Sequence, residues 1–281
     1  MRRAAAVIAV AMAFLCIVGA GCARGQEERS GRPDNVLRLA TSTSPVDSAL
    51  LDVLLEAFTR RSGIEVEVIG RGVGAAITLA REGRADVVLA HARVRENALV
   101  MAGYGVNRVE FMSNNYVLLG PPGDPAEIRG LRDIVAGLKR IHQVRALFVS
   151  RGDGSGTNLR ELSLWRLAGV TPAGPWYAQT GHGMGATLRH ANERGAYVLS
   201  DRSTYLFNRE RLQLTPMVEG DKRLLNVYGV TLVNPMRSPE VNFPAAMALL
   251  EFLVSDEGQQ IIREYGREKF GEPLFVPLLI P

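Results

Sequence analysis

Cysteine is nearly absent: it occurs only as Cys16 and Cys22, both close to the N-terminus. If Cys16 lies in a removed leader, the mature chain has no disulfide pair and no cysteine-based metal or catalytic site. Histidine is scarce too, at four residues, with no His-x-x-x-His or paired-carboxylate pattern, so neither a cation site nor a cofactor is expected. Excess charge is also lacking. The net +4 is small and partly due to Arg2 and Arg3, far from the basic footprint of a nucleic-acid binder. There are no internal repeats and no low-complexity tract.

What is present begins with a leader. Met1-Arg2-Arg3 precedes an apolar run from Ala4 to Ala20 and then Gly21-Cys22, the layout of an export signal. The run is short and polar residues Arg24 to Glu28 follow it, which argues against a retained membrane span. Cys22 behind Gly19-Ala20-Gly21 resembles a bacterial lipobox, although Gly19 stands where Leu is usual. The expectation is a signal over 1–21, lipid on Cys22 and a polar tether over 22–35. Ordinary cleavage to a free periplasmic protein is the alternative.

From Val36 strand and helix patterns alternate. Val36 to Ala40 is a strand and Asp47 to Arg61 an amphipathic helix stopped by Gly63. Ile64 to Ile69 is a strand, Gly74 to Arg81 a helix and Ala85 to Ala90 a buried strand. This βαβαβ order predicts an α/β fold with a parallel sheet. Tyr116 to Leu119 is a further strand, broken by Gly120-Pro121-Pro122-Gly123, a candidate domain crossing. Beyond it come helix 131–140, strand 146–149, helix 159–167, helix 187–193 and strand 196–200. Strand 227–233 returns the chain, and helices 245–254 and 257–265 close it.

Ligands of such sheets sit beyond the strand ends, at helix starts. Several such junctions are rich in glycine or hydroxyls. Thr41-Ser42-Thr43-Ser44 offers more hydroxyls than a helix cap needs. Gly72-Val73-Gly74 offers backbone donors. Arg151-Gly152-Asp153-Gly154-Ser155-Gly156-Thr157 adds a guanidinium and two hydroxyls at a helix start. Gly181 to Gly185 holds His182 and Met184, where backbone contacts are expected. The candidate anion ligands are Thr41, Ser42, Thr43, Ser44, Gly72, Val73, Arg151, Ser155, Gly156, Thr157, Met184 and Gly185. Asp153 is expected to pair with Arg151 or cap the turn. The cluster Tyr197, Asp201, Arg202 and Tyr205, and the lone His91, read as structural first. The loop lacks the lysine of a phosphate P-loop, and Ser155 is not centred in Gly-x-Ser-x-Gly.

Arg151, Ser155, Gly156 and Thr157 are similar to the anion loop of phosphate-type periplasmic binding proteins. A longer set resembles the tungstate-binding proteins of tungstate ABC transporters: Thr41 to Ser44, Asp86 to His91, Gly103 to Arg108, Ser150 to Thr157, Gly183 to Leu188 and Asp201 to Tyr205. The resemblance implies a two-lobed type II periplasmic binding fold, each lobe a mainly parallel sheet flanked by helices, joined by two crossing strands. Lobe 1 would span 36–119 plus 228–281, and lobe 2 would span 120–227. It further implies a monomer that holds tungstate or molybdate between the lobes and delivers it to a permease with its ATPase. Two positions depart from the family pattern: Val73 replaces a threonine, and Ser42 stands second in the hydroxyl run. Molybdate, sulfate or phosphate binding remains open. So do a phosphoester hydrolase or transferase using the Arg151 to Thr157 loop, and a sensor or adhesion lipoprotein.

Overall fold

The computed structural model describes residues 35–41, 49–70 and 72–279. The expected signal over 1–21, Cys22, the tether up to residue 34, and Ser42, Thr43 and Ser44 lie outside the described residues.

Strands β1 (Val36–Thr41), β2 (Glu65–Gly70) and β3 (Val87–Ala90) form the expected parallel group, with β1 in the middle. Side-chain alternation decides which helix covers which face. Leu37, Leu39, Val87 and Leu89 pack with Leu50, Leu54 and Phe58 of α1 (Leu50–Ser62). Ala40, Val88 and Ala90 face the other way, onto Val73, Ala76 and Ala80 of α2 (Gly72–Arg81). Gly63 ends α1 in the left-handed conformation, its N–H returning to the Thr59 carbonyl. Helix α3 (Arg93–Met101) follows β3 and joins α2 on that face through Leu99.

Strand β4 (Gly105–Gly120) is far longer than the expected Tyr116 to Leu119. Up to Asn115 it pairs antiparallel with β9 (Leu225–Val233). From Tyr116 it pairs instead with β7 (Val198–Asp201) and, from Leu118, with β8 (Thr215–Val218). One strand therefore serves both lobes, and β9 carries the chain back. Because β9 also runs antiparallel to β3, the first sheet, in the order β4-β9-β3-β1-β2, is parallel toward its β2 edge and antiparallel where the chain returns.

The second lobe contains α4 (Ile134–Gln143), β5 (Phe148–Ser150), α5 (Gly156–Leu167), β6 (Tyr177–Gln179), α6 (Met184–Arg194) and α7 (Arg202–Asn208). Strands β5 and β6 are parallel. Trp165 of α5 lies edge-on to Phe148 and Trp176, at centroid distances of 5.1 and 5.5 Å. Helices α8 (Phe243–Val254) and α9 (Asp256–Glu264) return to cover the α1 face of the first sheet. A short α10 (Arg267–Phe270) and β10 (Val276–Pro277), paired with β4, complete the described chain.

Candidate functional site

Three helix N-termini open onto one cleft of about 440 Å³. Its walls are Gly72 to Ala75 at the start of α2, Arg151 and Asp153 to Ser155 before α5, and Gly181 to Gly183 before α6, with Arg95 beside α2. First-turn amides have no partner within their own helix, and the aligned peptide dipoles add partial positive charge there. The cleft is therefore built to receive an anion.

Arg151 follows β5 and is 3 % exposed. Its Nε and Nη2 both donate to Asp153 Oδ2, while Asp153 Oδ1 accepts from the Ser155 amide at 3.1 Å. Both expected roles of Asp153, partner and turn brace, are present. Ser155 is the N-cap of α5, its Oγ accepting from the Asn158 amide. Asn158 in turn accepts from Gly154 N–H. Gly152 adopts φ +64°, and a Cβ there would lie 2.7 Å from Gln179 Cβ. Only glycine suits that turn. The Gly181 amide donates to the Arg151 carbonyl at 2.7 Å, tying the second loop to the first.

Glu161 lies buried beneath the loop. It accepts from Ser150 Oγ at 2.6 Å, from the Tyr177 hydroxyl at 2.7 Å and from Trp165 Nε1 at 3.2 Å. Burial pushes its carboxyl up to about 7 against those hydrogen bonds. His91 packs on Gly156. Its Nδ1 meets the Tyr116 hydroxyl and Asn226 Oδ1, both at 3.0 Å, and its ring stacks on Tyr228. Burial lowers its basicity below the usual histidine value. It supports the loop rather than lining the cleft.

Of the candidate residues, Gly72, Val73, Arg151 and Ser155 line the cleft. The Val73 side chain belongs to the core, so its contribution there is backbone. Gly156 and Thr157 sit behind the loop mouth. Thr157 is buried beside Tyr116, and its Oγ1 has no well-formed hydrogen bond among the described residues. The Thr41 hydroxyl donates to the Leu89 carbonyl at 2.9 Å. Met184 is fully buried in the second lobe. With Gly185 it borders a separate cavity of about 260 Å³ that also touches Thr204 and Asn208.

The other flagged cluster is structural. The Tyr197 hydroxyl donates to Asp124, Asp201 caps α7, and Arg202 pairs with Glu219 and Glu272. Sequence reasoning missed Arg95. Helix α3 has no hydroxyl or carboxylate N-cap; Glu96 reaches back to the Ala92 amide instead, at 2.7 Å.

The chain matches the model of the PBP superfamily domain over residues 23–257. It is also 41% identical to tungstate-binding protein TupA of Peptoclostridium acidaminophilum, across 99% of each chain. The chain belongs to the PBP superfamily and, within it, to the TupA family. Solved structures agree. The tungstate ABC transporter structure from Geobacter sulfurreducens has 42% identity and a TM-score of 0.76, covering 83% of this chain and 100% of that one. Tungstate binding protein TupA from Desulfovibrio alaskensis G20 has 37% identity and a TM-score of 0.75, with coverage of 87% and 99%. The periplasmic-binding-protein fold expected from the motifs is thereby established, and these relatives are binding proteins.

Proposed function

We propose that this chain is the exported oxyanion-binding component of an ABC importer and that its cargo is tungstate. The observation that carries this reading is a buried guanidinium, Arg151, held at a cleft ringed by three helix N-termini. Lobes over 36–119 plus 228–281 and over 120–227 close on the anion. Arg151 supplies a guanidinium fork of charge-assisted donors, oriented by Asp153. Ser155, Gly156, Thr157, the hydroxyls of Ser42, Thr43 and Ser44 and the amides near Gly72, Val73, Met184 and Gly185 supply neutral donors, while the Thr41 hydroxyl is spent on the Leu89 carbonyl. The signal over 1–21 is removed, Cys22 is lipidated, and the monomer hands its anion to a permease and ATPase.

The chemistry of the cleft favours a fully deprotonated anion. Phosphate near neutral pH keeps a proton and needs an acceptor for it. Asp153 is the one carboxylate among the described lining residues, and both its oxygens are engaged by Arg151 and the Ser155 amide. Tungstate, molybdate and sulfate need donors only. That relatives are named as tungstate-binding proteins supports tungstate among them. No histidine hydrogen-bonds Ser155 among the described residues, so we assign stoichiometric binding rather than hydrolysis or transfer.

Calorimetric titration of the signal-free protein with tungstate, with molybdate, sulfate and phosphate as competitors, tests the reading. One-to-one tungstate binding, far tighter than sulfate or phosphate and lost in Arg151→Ala, is expected. Folded, ligand-stripped protein that binds no oxyanion would overturn it.

A further inference from the structure

Arg95 is a cation on the cleft without a counter-charge. It lies in the first turn of α3, half-buried, and its guanidinium makes no hydrogen bond or ion pair among the described residues. Its neighbours are engaged: Arg93 pairs with Glu110 at 3.4 Å, and Glu96 with Arg108 at 2.8 Å. The Arg95 side chain reaches the start of α2, where Nη1 lies 3.2 Å from the place a Cβ on Gly74 would occupy. On that wall the other described lining residues are Gly72, Val73, Gly74 and Ala75, none with a side-chain donor. The facing wall carries Arg151, but Asp153 already answers its charge. That pair is formally neutral. Among the described residues, a dianion in this cleft therefore meets amide dipoles, hydroxyls and one uncompensated arginine.

We propose that Arg95 is a second anion-binding arginine, which gives the cleft its net positive charge and makes it selective for dianions. It lines the same cleft as Arg151, so an anion held by both guanidinium groups bridges the α2–α3 wall and the α5 loop. Coulomb attraction scales with the ligand's charge, so losing one cation penalises a dianion more than a monoanion. Arg95 is half-exposed, so part of its effect is screened by salt and acts on the rate of capture. This inference rests on the oxyanion reading above.

The test is titration of the parent, Arg95→Gln and Arg95→Lys with sodium tungstate, at low and at physiological ionic strength. Arg95→Gln is expected to bind about 10- to 100-fold more weakly, with slower association and a shallower dependence on salt. Arg95→Lys should recover most of the loss at low salt. The thermal midpoint of the ligand-free protein should not move, because no ion pair is broken. A parent that binds tightly and an Arg95→Gln variant within about twofold of it would overturn this inference while leaving the oxyanion reading intact. A parent that binds no oxyanion would overturn the reading itself, and this inference with it.

Discussion

Asp153 Oδ2 accepts from both Nε and Nη2 of Arg151, at 3.1 and 2.5 Å. One carboxylate thereby aims the guanidinium and, through its second oxygen, fixes the turn ahead of α5. Burial pushes the Asp153 carboxyl up. The Ser155 and Arg151 contacts outweigh that and hold it below the ordinary range. In the ligand-free protein Asp153 occupies the place of a counter-ion that an incoming anion competes with.

That relationship predicts effects of opposite sign for Asp153→Asn. The ligand-free protein loses the partner of a buried cation and should be less stable by about 1–2 kcal/mol. The same change removes a negative charge beside the anion and frees Arg151 for it, so tungstate should bind roughly three- to tenfold more tightly. Urea denaturation of the ligand-free protein, together with calorimetric titration, checks both signs. Weaker binding would mean that orienting the guanidinium matters more than relieving its charge.

Gly156 is a second point of control. A Cβ there would lie 2.4 Å from His91 Cε1. The ring cannot yield readily, since Tyr116 and Asn226 hold Nδ1 at 3.0 Å and Tyr228 stacks on its face. Gly156→Ala should therefore cost about 1–3 kcal/mol of stability and shift the anion loop, with binding lost in proportion. An unchanged denaturation midpoint would show that the loop can move away from His91.

The first βαβαβ unit was legible because β1 and β2 alternate in sequence, β3 is a short all-apolar run, and α1 ends on Gly63. The Arg151 loop was legible because arginine, glycines and hydroxyls are contiguous there. The first part of β4 was not, since its crossing segment buries polar groups where apolar periodicity is expected. Asn114 is 3 % exposed, and its Oδ1 accepts from Asn226 Nδ2 at 2.8 Å. Asn226 Nδ2 also donates to the Tyr228 hydroxyl. Such side chains satisfy one another across β4 and β9, a pairing no local pattern announces. Strands β6 and β8 are too short for periodicity, and β8 contains Pro216. Arg95 escaped notice because it reaches the cleft from a different element than the glycine loops. Met184 read as a backbone contact in a glycine loop, and its side chain is buried in the core.

Glu161 predicts a pH dependence of stability. In the folded protein its carboxyl keeps a proton up to about 7, whereas its ordinary value is 4.5. Between these values the folded state holds more protons than the unfolded chain, so this group's contribution falls as pH rises. His91 acts in the opposite direction: burial lowers it, so its contribution falls as pH drops below its ordinary 6.5. Glu161→Gln isolates the first effect. The amide oxygen can accept from Tyr177 and Trp165, and the amide nitrogen can donate to Ser150 Oγ, so the packing is kept. The stability difference between variant and parent, followed by urea denaturation, should move in the variant's favour as pH rises from about 4.5 to about 7. A difference that stays flat over that window would mean that Glu161 ionises normally beneath the anion loop, leaving a negative charge under the site.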